Sequence, residues 1–450
     1  MLFGVWCILV ESHLTMAHQP QKPSVWERLP ALHYHDYRLM WFGLFVSTVG
    51  SQMQLTAVNW HIFELLRGQT FTVELFGRTL TLGAEALGLG TLGLVRVIPI
   101  ILFALAGGLL ADTRNRRTLL IYTQLASVFF AGLLALLTLT GRDTVPVIYL
   151  LSAALAGVAA FEQPSRQSLM PHLVPKEAFA NAVSLNTLMF TGASVLGPAL
   201  GGIVLAYAGV ATVYLVNALS FLTVVISLVF LTYRGEAAVS AVGLGWGALL
   251  DGLRFTFHTP IIWSTMMLDF LATFFSSART MLPIVAGDIL GLGPVGYGWL
   301  SAAQPVGSIV AGSVVTLRGE MNKQGAVLLV SVLLYGVATI FFGLTTSVVL
   351  AFVFMALTGA ADTVSTVIRG TLRQLLTPDA LRGRMTSVNM VFFMGGPQLG
   401  EMEAGLAAAA FGVPFAIVSG GIATVVLTML IAWKYPMLRR FDRPVEVLTV

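Results

Sequence analysis

The chain has 450 residues, is 56% hydrophobic and only 10% charged, and has a mean hydropathy of +0.85. That excludes an ordinary soluble domain and implies a protein built for a bilayer. The single cysteine, Cys7, excludes an internal disulfide framework, and the net charge of +4 requires no nucleic acid, since a cytoplasmic bias of basic residues accounts for it.

The head, MLFGVWCILV, is apolar but short, with no basic residue before it and no small-residue cleavage site after it. It does not read as a signal peptide, and Met16 is as good a start as Met1. Beyond it, apolar runs of about 20 residues punctuated by Gly, Pro and charge predict spanning helices. They fall near 40–65, 88–111, 118–140, 146–163, 183–206 and 211–233, then near 260–284, 295–317, 325–345, 347–367, 386–411 and 413–433. The expected organisation is a cytoplasmic segment (1–39), a six-helix half (40–233), a cytoplasmic linker (234–259), a second six-helix half (260–433) and a cytoplasmic tail (434–450). The fold class is therefore an all-α membrane protein with twelve transmembrane helices in two pseudo-symmetric halves. The first outer loop, 67–87, reads as a tolerated surface insertion.

Basic loops stay in the cytoplasm, so charge tests the topology. With the N-terminus inside, 20 of the 25 Lys and Arg residues fall on the inner side, and only Arg67, Arg78 and Arg142 lie outside. Both termini are expected in the cytoplasm.

Residues 165–190 align without gaps to residues 368–393, with seven identities that include Arg166 and Arg369, Pro175 and Pro378, and Asn186 and Asn389. Continued, the alignment pairs Gly192 with Gly395, Gly197 with Gly400 and Gly202 with Gly405. Span 5 thus matches span 11. Parallel six-helix repeats around a midplane cavity are one architecture for alternating access.

Two motifs carry a family resemblance. GGLLADTRNRR, between spans 2 and 3, resembles the loop signature of the major facilitator superfamily through Gly108, Asp112, Arg116 and Arg117, although Thr113 and Asn115 depart from its usual basic residue and glycine. GPALGG, with Gly197, Pro198, Gly201 and Gly202, is similar to that superfamily's antiporter motif, with Ala193 where a further glycine is usual. LLTPDALRGRMTSVN followed by GGPQLGEMEAG resembles the branch of enterobactin exporters and drug-efflux antiporters. The resemblance covers the chain from about residue 32 onward. It implies an inner gate in which Asp112, at the end of span 2, faces span 11 near Arg384. Span 4, VPVIYLLSAALAGVAAF, lacks the membrane-embedded arginine of many proton-coupled relatives, so coupling by that residue does not carry over.

Helical periodicity sorts the buried polar residues into stripes. Thr48, Gln52, Thr56 and Asn59 share a face of span 1; Thr265, Asp269, Thr273, Ser276 and Thr280 share one on span 7; Thr358, Asp362, Ser365 and Arg369 share one on span 10. The resemblance implies that these spans line the central cavity. Asp269 and Asp362 are the proton or substrate candidates, with Gln52 and Asn59 beside them, because a desolvated carboxylate can hold a proton near neutral pH. His61 lies opposite the span 1 stripe and reads as a helix-packing residue.

Glu401 and Glu403 stand in an otherwise apolar helix and lie about 200° apart around it. Arg96 on span 2 sits about 24 Å above Asp112, and Glu401 about 25 Å above Arg384, so Arg96 is expected to pair with one of the two acids as an outer latch, Glu401 favoured.

No metal spacing, nucleophile elbow or phosphate loop occurs, so neither an enzyme nor a cofactor is expected. The expected function is secondary active export of an amphipathic small molecule, siderophore-like or drug-like, across the cytoplasmic membrane with proton antiport, by a monomer. The alternatives are an uptake or facilitated carrier and, in another class, a non-transporting receptor or scaffold.

Overall fold

A chain this apolar has no water to satisfy its backbone inside lipid, so its long runs must coil into helices. The computed structural model describes residues 29–75, 78–113, 115–234, 253–319, 321–378 and 381–442; the side chains of 104–113 and of much of 382–394 lie outside the described set. The long helices are α1 (His35–Leu66), α2 (Ala84–Thr113), α3 (Arg116–Leu139), α4 (Val145–Leu169), α5 (Lys176–Ala208), α6 (Val210–Phe230), α7 (Pro260–Phe275), α8 (Gly293–Arg318), α9 (Gln324–Leu344), α10 (Val348–Leu376), α11 (Arg382–Phe411) and α12 (Val413–Lys434). Among the described residues, ten helical segments are long and apolar enough to cross a membrane. α1 and α11 are just as long, at 32 and 30 residues, but more polar.

Two features differ from the sequence reading. Residues 70–83 are not shapeless: β1 (Thr70–Leu75) and β2 (Arg78–Gly83) pair antiparallel as a hairpin, and α2 starts at Ala84. Span 7 is not one helix. After α7 ends at Phe275 the chain passes through a 3₁₀ turn (Ala278–Met281), a short helical piece (Leu282–Ile284) and a π turn (Val285–Ile289). Pro283 lies within this broken stretch, and π turns recur at functional sites.

Packing follows the repeat. In the first six helices α1 packs on α5 and α6, α2 on α4, and α3 on α4 and α6. In the last six, α7 packs on α11 and α12, α8 on α10, and α9 on α10 and α12. Each contact has its counterpart six helices later. Between the sets, α2 runs along α11 and α5 along α8.

The core is divided unevenly along the helix axes. At the end where α1 finishes and α2 begins, one apolar cluster joins both sets, from Ile62, Phe63 and Leu89 to Met281, Tyr297 and Ala408. At the opposite end the described clusters stay within one set: Leu120, Leu185 and Leu228 in the first, Leu328, Ile368 and Leu372 in the second. The sets are sealed to each other at the first end only, among the described residues.

Asp36 anchors α1 at the unsealed end, ahead of the apolar run. Its carboxylate accepts from the Thr232 and Tyr233 amides at 3.1 and 2.9 Å, tying the start of α1 to the exit of α6. Burial raises its pKa, but the backbone bonds from Tyr233 and Thr232 outweigh that and hold the carboxyl below its usual value. A depressed carboxyl stabilises the fold above its unfolded pKa of about 3.9, and that gain vanishes as pH falls through the folded value. Asp36→Asn is expected to cost about 1 kcal/mol at pH 7. Thermal unfolding in detergent at pH 7 and pH 3 checks this: the variant should differ from wild type at the first pH and by less at the second.

Candidate functional site

The two helix sets enclose a cavity of about 350 Å³ lined from both sides. α1 contributes Gln52, Thr56 and Asn59, α2 contributes Arg96, α7 contributes Asp269 and Thr273, and the broken stretch contributes Arg279 and Thr280. Tyr297, Gln304, Tyr335, Asp362, Arg369 and Glu401 complete the wall from the last six helices. The stripes on spans 1, 7 and 10 thus share one space in part: Thr48, Thr265, Thr358 and Ser365 are not on its wall.

Its most constrained feature is an ion triad. Arg369 on α10 is 4% exposed and pairs directly with Asp269 on α7, while its second terminal nitrogen stands 3.6 Å from Asp362. The same guanidinium donates to the Ser365 carbonyl at 3.3 Å and to the Thr366 hydroxyl at 2.9 Å. The two aspartates differ in access: the Asp269 side chain is 10% exposed, that of Asp362 46%. Asp362 faces the open cavity, and Asp269 is sealed against its partner. Two carboxylates on one guanidinium carry a formal charge of −1, and adding one proton makes the group neutral.

Arg96 and Glu401 lie on the same cavity wall. A Cβ built on Gly93, one turn before Arg96, would sit 2.8 Å from the Glu401 Cβ, so α2 and α11 approach closely here because Gly93 has no side chain. The ion pairs within 4 Å among the described residues do not join Arg96 to Glu401 or Glu403, and Glu403 is not on the cavity wall. The cross-set ion pair at the sealed end is instead Arg67 with Asp288, at 2.6 Å, which sequence reasoning missed. Beside it the Trp60 ring packs on Tyr297 at 5.3 Å. His61 holds the same end of the first set, with Nε2 2.9 Å from Asp143 and Nδ1 3.0 Å from the Tyr214 hydroxyl.

The glycine motif of α5 splits into two roles. Gly197 and Gly201 let α5 lie against α1: a Cβ on either would stand 3.0 or 3.1 Å from the Val49 carbonyl or the Met53 Cα. Gly202 faces the other set, where a Cβ would fall 2.8 Å from the Gly298 Cα. Pro198 reaches the cavity wall, and its carbonyl lies 2.5 Å from a Cβ built on Gly298. Gly90 and Gly405 repeat this arrangement between α2 and α11, with a Cβ on Gly90 2.7 Å from the Gly405 Cα.

Of the inner-gate residues, Arg116 donates to the Ser168 carbonyl at 3.1 Å and lies 2.8 Å from His172. Arg117 caps the carbonyls of Leu228 and Val229 at the end of α6, at 2.7 and 2.9 Å, where a cation suits the helix dipole. Both act within the first set. The side chains of Gly108, Asp112 and Arg384 lie outside the described residues.

Comparisons with known proteins agree with this geometry. A family model described as "Transmembrane secretion effector" matches residues 28–444. The chain is 28% identical over 410 residues to the enterobactin exporter EntS of Shigella boydii serotype 18, covering 90% of this chain and 93% of that protein, and equally similar to EntS of Escherichia coli strain SE11. Solved structures share the fold. A bacterial homologue of the iron transporter ferroportin, inward-facing, superposes with a TM-score of 0.67 at 16% identity, over 89% of this chain and 98% of that one. A bacterial homologue of the human lysosomal transporter Spinster, inward-facing and unoccupied, gives 0.68 at 16% identity, over 91% and 97%.

Proposed function

The chain belongs to the transmembrane secretion effectors of the major facilitator superfamily, multi-pass membrane transporters rather than enzymes, and from that premise we propose that it exports an amphipathic small molecule across the cytoplasmic membrane in exchange for protons. The observation that carries the reading is the Arg369 triad, two carboxylates on one guanidinium set in a cavity that both helix sets line. A net charge is costly to enclose in a dry space, so the charge state of the triad biases which face of the cavity can close. Asp362, exposed to the cavity, receives the proton; Asp269 holds Arg369 in place.

In this reading the chain spans the membrane twelve times in two six-helix halves, with both termini cytoplasmic and the protein working as a monomer. The matched packing of helices six apart supports the halves, and the distribution of Lys and Arg supports the orientation. The sealed end is then the outer one, and the conformation is inward-facing. Gly202 with Gly298 and Gly90 with Gly405 form the outer closure. Asp112 and Arg384 serve the inner gate, and Arg96 with Glu401 forms a latch that draws together on fuller outer closure.

Transport by inverted membrane vesicles, with an inward-acid pH gradient imposed or collapsed, tests the proposal against siderophore, macrolide and dye panels. Gradient-dependent accumulation of at least one compound is expected. Accumulation that ignores the gradient for every compound would remove the proton-exchange reading.

A further inference from the structure

Among the described residues three guanidiniums reach the central cavity, and they are not equivalent. Arg369 is saturated, with Asp269, Asp362, the Ser365 carbonyl and the Thr366 hydroxyl around it. Arg96 and Arg279 have no carboxylate within 4 Å and no hydrogen bond to a described residue. Glu401 shares this part of the wall with the two arginines, so one positive charge is left over in a cavity between apolar helices, and such an excess suits a negative charge that arrives.

The two come from opposite sides. Arg96 projects from α2 in the first helix set, and Arg279 from the 3₁₀ turn that interrupts span 7 in the second. Arg279 is exposed and lines the cavity, beside the sealed end where the broken stretch packs on the first helix set. Next to them, the buried Thr280 hydroxyl has no hydrogen-bond partner among the described residues, although it lines the cavity and can donate. Glu401 is the one carboxylate on this part of the wall among the described residues, so two arginines and one acid leave it at +1, against −1 for the triad.

We propose that Arg96 and Arg279 form a two-sided anion clamp, and that the transported molecule is an amphipathic organic anion whose acidic group bridges the two helix sets. This rests on the exporter reading for the role of the cavity. A guanidinium offers a planar pair of donors that matches a carboxylate or phenolate oxygen pair, and charge-assisted bonds of that kind are stronger than neutral ones. A clamp drawn from both sets also explains selectivity: a cation of the same shape meets two like charges there.

Fluorescein and rhodamine 123 share a xanthene scaffold but carry opposite charge, and their binding to the purified full-length protein in nanodiscs can be followed by anisotropy, with empty discs subtracted. Fluorescein is expected to bind saturably and rhodamine 123 more weakly. Arg96→Gln and Arg279→Gln should each weaken fluorescein binding about tenfold. Arg279→Lys should retain part of it, Arg279→Glu should shift preference toward rhodamine 123, and Arg318→Gln, at the exposed end of α8, should change nothing. Because Arg279 is exposed to the cavity, its variants are expected to fold even if those of Arg96 do not. No fluorescein binding by the wild-type chain, tighter binding of rhodamine 123, or unaltered binding in Arg279→Gln would overturn the clamp. Vesicle transport of rhodamine 123 without fluorescein binding would overturn the clamp and leave the exporter reading intact. Fluorescein binding without any vesicle transport would do the reverse.

Discussion

Replacing Arg369 with glutamine should destabilise the protein by about 3–5 kcal/mol, because the substitution strands a carboxylate that is sealed from water. Asp269 has Arg369 as its ion-pair partner and is only 10% exposed on its side chain, so water does not make up for the lost guanidinium. Asp362 loses less, since nearly half of its side chain faces the cavity. The double variant Arg369→Gln with Asp269→Asn removes both ends of the buried pair and should regain most of the loss, a coupling that a double-mutant cycle isolates. Thermal unfolding of the purified protein in detergent reads both numbers. An Arg369→Gln protein that unfolds like wild type would mean that the triad is not the structural centre of the second helix set.

A leucine at Gly298 should abolish transport, by more than about tenfold, while leaving every charged residue of the cavity in place. A Cβ there would fall 2.5 Å from the Pro198 carbonyl and 2.9 Å from the Gly202 Cα, and both neighbours are backbone that cannot rotate aside. α5 and α8 would have to separate, and with them the closure that seals the cavity at that end. The separation has a direct readout. In a chain carrying Cys7→Ser, an Asn59→Cys probe on the cavity wall should become reactive to a membrane-impermeant thiol reagent from the outside once Gly298→Leu is added. Wild-type flux and an unreactive probe would show that this contact is not the outer closure. The same logic applies to Gly90 and Gly405, where α2 and α11 meet.

Much of this was legible in the sequence. The 203-residue offset between 165–190 and 368–393 foreshadowed packing that repeats six helices later, and the polar stripes on spans 1, 7 and 10 foreshadowed which helices face the cavity. What the pattern could not give was the meeting of side chains from different helices. Asp362 and Arg369 share a face of α10 but lie about 10 Å apart along it, a spacing that does not by itself join them. The arginine stem spans that gap and brings the guanidinium to Asp269 on α7 as well. The sequence reading puts Arg279 inside a continuous span and gives it no role; Pro283, four residues on, marks the break. The hairpin at 70–83 was also readable, since TFTVEL and RTLTLG alternate polar and apolar residues with the period of a strand. The Arg67–Asp288 pair joins residues 221 apart in sequence, and no local signal marks such a contact.

The most direct test of the coupling claim is substrate-driven proton movement in proteoliposomes, comparing wild type with Asp362→Asn, Asp269→Asn and the double variant, using a compound found by the vesicle panel. The triad account predicts that wild type moves protons against substrate, that Asp362→Asn loses at least about tenfold of this movement while still binding substrate, and that the double variant moves none. Proton movement at the wild-type rate in the double variant would contradict the account.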